Sequence, residues 1–262
     1  MTDEQVNAVK QQQGMTFVDH FGELRKRVVR IVIVFVMGTI AGFAVAQPAI
    51  QYLMSVPPAS DLTMNVFSPW DSLRLYINVS MLVALLVTLP FAIHQIWRFV
   101  SPGLLDHERK AAGFYIPLAV LLGAVGLSFA YWVVFPLAFH FTLFLTQMME
   151  LTETYGITQY FAFMFNILIP VTLVFELPVV VLFLTTVRIL SPAILIKARR
   201  VAYVVLVVVS TLITPPDFIS ALIVFLPLIL LYELSVFLSK LVHRKQQQRY
   251  ATPDPEAGLQ ES

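Results

Sequence analysis

Six apolar stretches alternate with short polar connections along the chain, at about 28–46, 73–97, 111–135, 160–187, 201–214 and 218–238. An isolated stretch of lipid-exposed backbone finds no hydrogen-bond partner in a bilayer, so apolar runs near 20 residues predict spanning helices. The fifth run is the exception: it offers only about 21 Å of helix before Pro215-Pro216-Asp217. Ahead of the first run, Phe17, His20, Phe21, Leu24 and Val28 recur at spacings of three and four. That period predicts an amphipathic helix lying along the cytoplasmic surface before it turns into the first span. The third run stays apolar to Met149, which predicts a helix that tilts or projects beyond the outer surface. Pro170 and Pro178 remove backbone donors from the fourth and predict a kink there. Pro48, Pro57, Pro58 and Pro69 punctuate residues 47–72, read as a short structured outer cap. The domain organisation that follows is a polar, disordered tail over 1–16, one membrane domain over 17–240, and a disordered tail over 241–262.

Charge supplies the orientation. Every Lys and Arg except Arg74 falls in the N-terminal segment, in every second connection, or in the C-terminal segment. Short loops rich in Lys and Arg stay on the cytoplasmic side, so the alternation predicts an all-α polytopic membrane protein with six spans and both termini cytoplasmic. Composition agrees, with 58% hydrophobic and 13% charged residues where soluble domains carry about a quarter charged. The net charge of +1 is segregated by face, so it reports topology rather than a nucleic-acid partner. Without cysteine, disulfides, thiol catalysis, iron–sulfur clusters and Cys-based zinc sites are excluded. The basic start, the first apolar run and Ala44-Val45-Ala46 imitate a cleavable signal peptide. The run is long enough to span, and its removal would spoil the charge alternation downstream, so it is read as the first span.

A few charged residues then require explanation. Glu176 lies between Phe175 and Leu177 inside an apolar run, where an ionised carboxylate costs several kcal/mol unless solvated or paired. Either it is neutral and bonded to a neighbouring helix, or it lines a cavity or substrate groove. Glu233 and Arg74 lie nearer helix ends and can reach an interface, Arg74 with Asp71 as a nearby partner. On the cytoplasmic side, Glu23 and Glu108 sit in the basic surroundings ELRKR and DHERK. They serve either local salt bridges at helical spacing or a partner's guanidinium groups, which bind carboxylates through charge-assisted, bidentate hydrogen bonds. Spacing alone does not choose. His20 and His107 lack a third ligand at a diagnostic distance, and no Walker-type loop, Ser elbow or paired-Asp arrangement occurs, so no metal, cofactor or catalytic residue is expected. A proton-coupled transporter with Glu176 as proton carrier is the alternative class, although no internal repeat supports it.

Five segments in order carry a family resemblance: FVDHFGELRKR at 17–27, FVSPGLLDHERK at 99–110, FAYWVVFPLAF at 129–139, FELPVV at 175–180 and LITPPDFIS at 212–220. Together they resemble the TatC family, the polytopic receptor subunit of the twin-arginine protein translocase. The resemblance implies kinked helices forming a concave face, and a non-enzymatic role in the bacterial cytoplasmic membrane. It implies binding of twin-arginine signal peptides and export of folded proteins by the protonmotive force. The implied partners are single-span TatA/TatB-type subunits, other copies of the chain, and membrane lipid. By motif, Glu23 and Glu108 match the family's recognition carboxylates, with Leu24 and Arg25 beside the first and Phe99 ahead of the second. Glu176 matches the intramembrane glutamate of the concave face, Pro57 a proline of the first outer loop, and Asp217 the acidic residue after the outer Pro-Pro. Asp106 stands where many relatives are basic, and Ala221 where some are polar.

Overall fold

The computed structural model describes residues 17–100, 115–152, 154–214 and 218–251. Among them, five helices are long and apolar enough to cross a membrane, and a sixth, less apolar helix stands fifth in chain order. Helix α1 (Phe17–Ser55) is one unbroken rod of 39 residues, about 58 Å long, so the expected turn between a surface helix and the first span does not occur. Residues 17–30 are rich in Leu, Arg, Lys and Glu, which favour helix, and the only glycine there is Gly22. A bond from Arg27 to Glu23 one turn back supports the helix within this amphipathic segment.

Helix α2 (Asp71–Val100) returns antiparallel against α1. The contact is close because Gly38 and Gly42 present no side chain. A Cβ on Gly42 would stand 2.7 Å from the Ser80 carbonyl oxygen, and one on Gly38 would stand 3.2 Å from Ala84 Cα. Ser80 and Ala84 are fully buried. This is small-residue packing of the kind that holds helices together where lipid supplies no hydrophobic drive.

Beyond α1, the chain makes a 3-10 turn (Ala59–Asp61) and a two-residue strand, β1 (Met64–Asn65). That strand pairs in parallel with β2 (Tyr155–Gly156), Met64 opposite Tyr155 and Asn65 opposite Gly156, a small departure from an all-helical fold. The carboxylate of Asp71 accepts from the amides of Phe67 and Ser68 at 3.0 and 2.9 Å, and the Asp71 carbonyl accepts from Thr158. The cap expected over 47–72 is shorter than that, because α1 continues to Ser55 and α2 begins at Asp71; its residues 56–70 clamp the connection after α4 to the one after α1. Asp71 and Arg74 make no direct ion pair among the described residues; the loop amides bond one carboxylate oxygen, and Arg74 acts on the group only at longer range.

The third span comprises α3 (Tyr115–Phe129), a π-helical turn (Ala130–Val134) and α4 (Phe135–Met148). Pro136 has no amide to donate, and the wider turn absorbs the missing bond without stopping the helix. Its 34 residues exceed the bilayer's apolar thickness, in keeping with a helix that projects or tilts. The fourth span, the most enclosed of them, breaks at Glu176 into α5 (Ile157–Phe175) and α6 (Leu177–Thr186). Pro178 accounts for the break; Pro170 sits inside α5 without interrupting it.

Helix α7 (Pro192–Ile213) has 22 residues, about 33 Å, and begins nine residues before the expected fifth span. Ser191 accepts from the Ile194 amide and Pro192 opens the first turn, so the expected 188–200 connection contracts to a short turn before Pro192. Only its apolar part, from Val201 onward, is short. Helix α8 (Phe218–Ala251) continues eleven residues past the boundary expected at 240, and residues 1–16 and 252–262 lie outside the described residues. Glu233 on α8 accepts from Arg199 and Tyr203 of α7, each at 2.6 Å, and Tyr232 donates to the Leu195 carbonyl at 2.8 Å. These bonds lock the fifth span to the sixth.

The α1–α2 contact generates a stability prediction. Gly42→Leu should lower the unfolding free energy of the detergent-solubilised protein by about 1–3 kcal/mol, because the new side chain meets backbone that cannot yield. Gly22→Ala, with nothing within 4 Å of the added carbon, should leave the thermal midpoint equal or slightly raised.

Candidate functional site

Two places carry chemistry that the fold alone does not need. The first is the end of the molecule where α1 begins and α2 ends. Gly42 lies against Ser80 and Gly38 against Ala84, and eleven residues further along each helix the Arg27 guanidinium donates to the Gln95 carbonyl at 3.3 Å. Each step back along α1 is thus matched by an equal step forward along α2. One more turn in the same register sets Glu23 level with Phe99.

Arg27 is nearly buried, at 9% exposure, and its Nε donates to Glu23 Oε1 at 3.1 Å while Nη2 bonds the same oxygen. Glu23 Oε2 has no partner among the described residues, and the Glu23 side chain stays 28% exposed. Leu24 and Arg25 are exposed, and Phe99 is half-buried. Glu108 lies outside the described residues, but the stem of its connection does not. Trp97 packs edge-on against Tyr115 at 5.9 Å and against Phe183 at 5.8 Å, and the Tyr115 hydroxyl lies 2.5 Å from that of Thr186. The two ends of the Glu108 connection are therefore pinned together on the face that also carries Glu23.

The second place is the break in the fourth span. There Glu176 is 4% exposed, and neither of its carboxylate oxygens has a hydrogen-bond partner among the described residues. The bond to a neighbouring helix, one of the two readings of this residue, is not made. Thr172 does not supply it, since its hydroxyl donates to the Leu168 carbonyl. Glu176 instead lines a cavity of about 210 Å³ walled by Leu82, Leu89, Pro90, Ala119 and Gly123. A Cβ on Gly123 would stand 2.8 Å from Glu176 Oε1, and one on Gly126 would stand 2.6 Å from Phe175. These two glycines of α3 make room for the carboxylate and for the ring beside it; sequence reasoning passed over both, although their three-residue spacing on one helix face was a usable signal.

Pro57 is exposed in the cap between α1 and α2, beside buried Pro58 and Ala59, and Asp217 lies outside the described residues. The structure thus brings Glu23, Leu24, Arg25 and Phe99 to one end and sets Glu176 apart within the membrane domain. Among the described residues no cluster of His, Asp and Glu is arranged to hold a metal ion.

Residues 19–227 match the family model described as Sec-independent protein translocase protein (TatC). The chain is 45% identical to the Sec-independent protein translocase protein TatC of Halalkalibacterium halodurans over 90% of its own length and 93% of that protein's. It is 40% identical to TatCy of Bacillus subtilis, with the same coverage of each chain. A crystal structure titled as the twin-arginine translocase receptor TatC superposes with a TM-score of 0.70 at 30% identity, covering 85% of this chain and 99% of that one. With a family model spanning most of its length and relatives matched nearly end to end, this chain belongs to the TatC family of multi-pass, non-enzymatic protein translocase components of bacterial membranes.

Proposed function

We propose that this chain receives twin-arginine signal peptides at its basic end, which faces the cytoplasm together with both termini. It then gathers single-span TatA/TatB-type subunits and further copies of itself to export folded proteins at the expense of the protonmotive force. The observation that carries the reading is the α1–α2 register. It sets a partly exposed carboxylate, Glu23, level with an aromatic side chain, Phe99, beside the pinned stem of the Glu108 connection. A ligand with two guanidinium groups ahead of an apolar segment needs anionic acceptors at the membrane surface and an apolar surface beyond them. Glu23 and Glu108 supply the acceptors in this reading, with Leu24, Arg25 and Phe99 shaping the approach. The apolar faces of the spans supply the rest. Arginine is favoured over lysine because only a planar fork meets a carboxylate at two points.

Glu176 takes the second role. A buried carboxylate without a hydrogen-bond partner is costly in a membrane interior, and it is retained here in a cavity between the second, third and fourth spans. We assign it to the translocation step rather than to recognition, since it belongs to the span interior and not to the end bearing Glu23. Pro57 and Asp217 are assigned to contacts of the outer surface with partner subunits.

Binding of a fluorescent twin-arginine peptide to the purified chain should weaken at least about 100-fold in the Glu23→Ala, Glu108→Ala double variant, at about 1.5–3 kcal/mol per charged hydrogen bond. Unchanged affinity would refute the site. Gly123→Ala should displace the Glu176 carboxylate, lowering export of a twin-arginine reporter in cells while peptide binding to the purified chain stays as in the parent. Full export would show that the carboxylate's position is immaterial.

A further inference from the structure

The charge of α6, α7 and α8 is one-sided. From Leu177 to Ala251 the only acids are Asp217 and Glu233. Glu233 is taken by Arg199 and Tyr203, and Asp217 immediately precedes α8 in sequence, about 37 Å of helix away from His243. The end of these helices that meets Tyr115 through Thr186 carries Arg188, Lys197, Arg200 and Arg244 as exposed cations. Among the described residues of the three helices, no uncommitted carboxylate answers them. Membrane orientation accounts for their standing on one side. It does not account for how Arg188 is held.

Arg188 follows the C-cap of α6 with a φ of 61°, in the left-handed region that favours glycine. The Ile189 and Leu190 amides both donate to the Leu184 carbonyl at 3.0 Å and fix that turn. The chain thus keeps an arginine where glycine would cost the backbone less. Arg188 lines a cleft of about 470 Å³ between the end of α6, the start of α7 and α8. Ser191, His243, Gln246 and Gln247 line it as well. Gln246 donates to the Thr186 carbonyl at 3.0 Å, and the Gln247 amide and His243 ring bond each other at 3.2 Å, so α8 presents a fixed wall.

We propose that this cleft binds the phosphate group of an anionic phospholipid. Every polar side chain named on its wall can donate a hydrogen bond, and one is a guanidinium, whose fork matches two phosphate oxygens. The level suits a headgroup. His243 lies five residues, about 7 Å, beyond Leu238, where the sixth apolar run ends, and the headgroup layer begins at the edge of the apolar core. Basic clefts between helices at a membrane surface hold such headgroups in other membrane proteins. Ile189 and Ile194, next to Arg188 and close after Ser191 in sequence, are 66% and 52% exposed. An apolar rim beside a cationic cleft suits an acyl chain and gives a soluble anion nothing. A lipid bound there holds α8 against α6 beside Thr186, which meets Tyr115 at the stem of the Glu108 connection. The site shares no residue with the peptide-receptor reading.

The test reconstitutes the full chain in nanodiscs of phosphatidylcholine alone, or of phosphatidylcholine and phosphatidylglycerol in a three-to-one mixture, and reads the thermal midpoint in each. The mixture should raise the midpoint by about 3–6 °C through binding to the folded state. Arg188→Gly and Arg188→Asn both suit the left-handed backbone, so each should keep or raise the midpoint in phosphatidylcholine while losing at least half of the lipid-dependent rise. Arg200→Gln, which removes an exposed cation away from the cleft, should keep that rise. No rise in the parent chain, or a full rise in the Arg188 variants, overturns the site. Equal losses in Arg200→Gln and the Arg188 variants overturn it too, because they show diffuse attraction by surface charge. Millimolar inorganic phosphate added to phosphatidylcholine nanodiscs should give no rise. A rise there that Arg188→Gly abolishes would make the occupant a soluble phosphate and overturn the lipid.

Discussion

The first two helices approach closely because Gly38 and Gly42 leave nothing to hold the backbone of Ser80 and Ala84 away, and that contact sets the rest of the basic end. In lipid, helices gain little by hiding apolar surface from one another, so close van der Waals contact between small residues has to do that work. Once these four residues meet, the antiparallel register has no freedom left. Arg27 falls beside Gln95, and Glu23 reaches the level of Phe99. The Glu23 carboxylate near the tip of a long, single rod is thus placed by packing some 20 residues away, in the middle of the helical domain. The unbroken run of α1 matters for the same reason, since a turn at residue 28 would uncouple the tip from the glycine contact.

The fourth span works differently. It is the most enclosed span, yet it is interrupted where Pro178 cannot donate, and the interruption falls on its one carboxylate. Gly123 and Gly126 of the third span accommodate the break by presenting no side chains to Glu176 and Phe175. The result is an open space with an acid on its wall and no partner for that acid. At the other end, the parallel pairing of Met64–Asn65 with Tyr155–Gly156 and the Asp71 carboxylate close the cap. The molecule is therefore tied at both surfaces and open between its middle spans.

Much of this was legible in the chain. Segregated Lys and Arg, together with apolar run lengths, predicted the spans, and Pro178 predicted an irregularity in the fourth. The start of α7 was also within reach, because Ser191-Pro192 is a helix-opening pair and the basic residues after it are ordinary helix formers; reading hydropathy alone hid nine residues of helix behind their charge. The four-residue spacing of Gly38 and Gly42 was another local signal for a close helix contact. Other features depended on distant pairs. Nothing near Arg27 announces the Gln95 carbonyl, nothing near Glu176 announces Gly123, and the two short strands lie some 90 residues apart. Glu23 was ambiguous between a local ion pair and an external acceptor; it makes the local pair through Oε1, and Oε2 has no partner among the described residues.

The central claim, that glycine-set packing brings Glu23 level with Phe99, is open to a direct measurement because the chain has no native cysteine. Paired variants Glu23→Cys with Phe99→Cys, and Glu23→Cys with Ala92→Cys, are treated in membranes with a short thiol crosslinker and resolved by electrophoresis after cleavage between the two positions. The register predicts that the first pair links the fragments and that the second, about two turns further into the membrane domain, does not. Efficient linkage of the second pair with none of the first would contradict it.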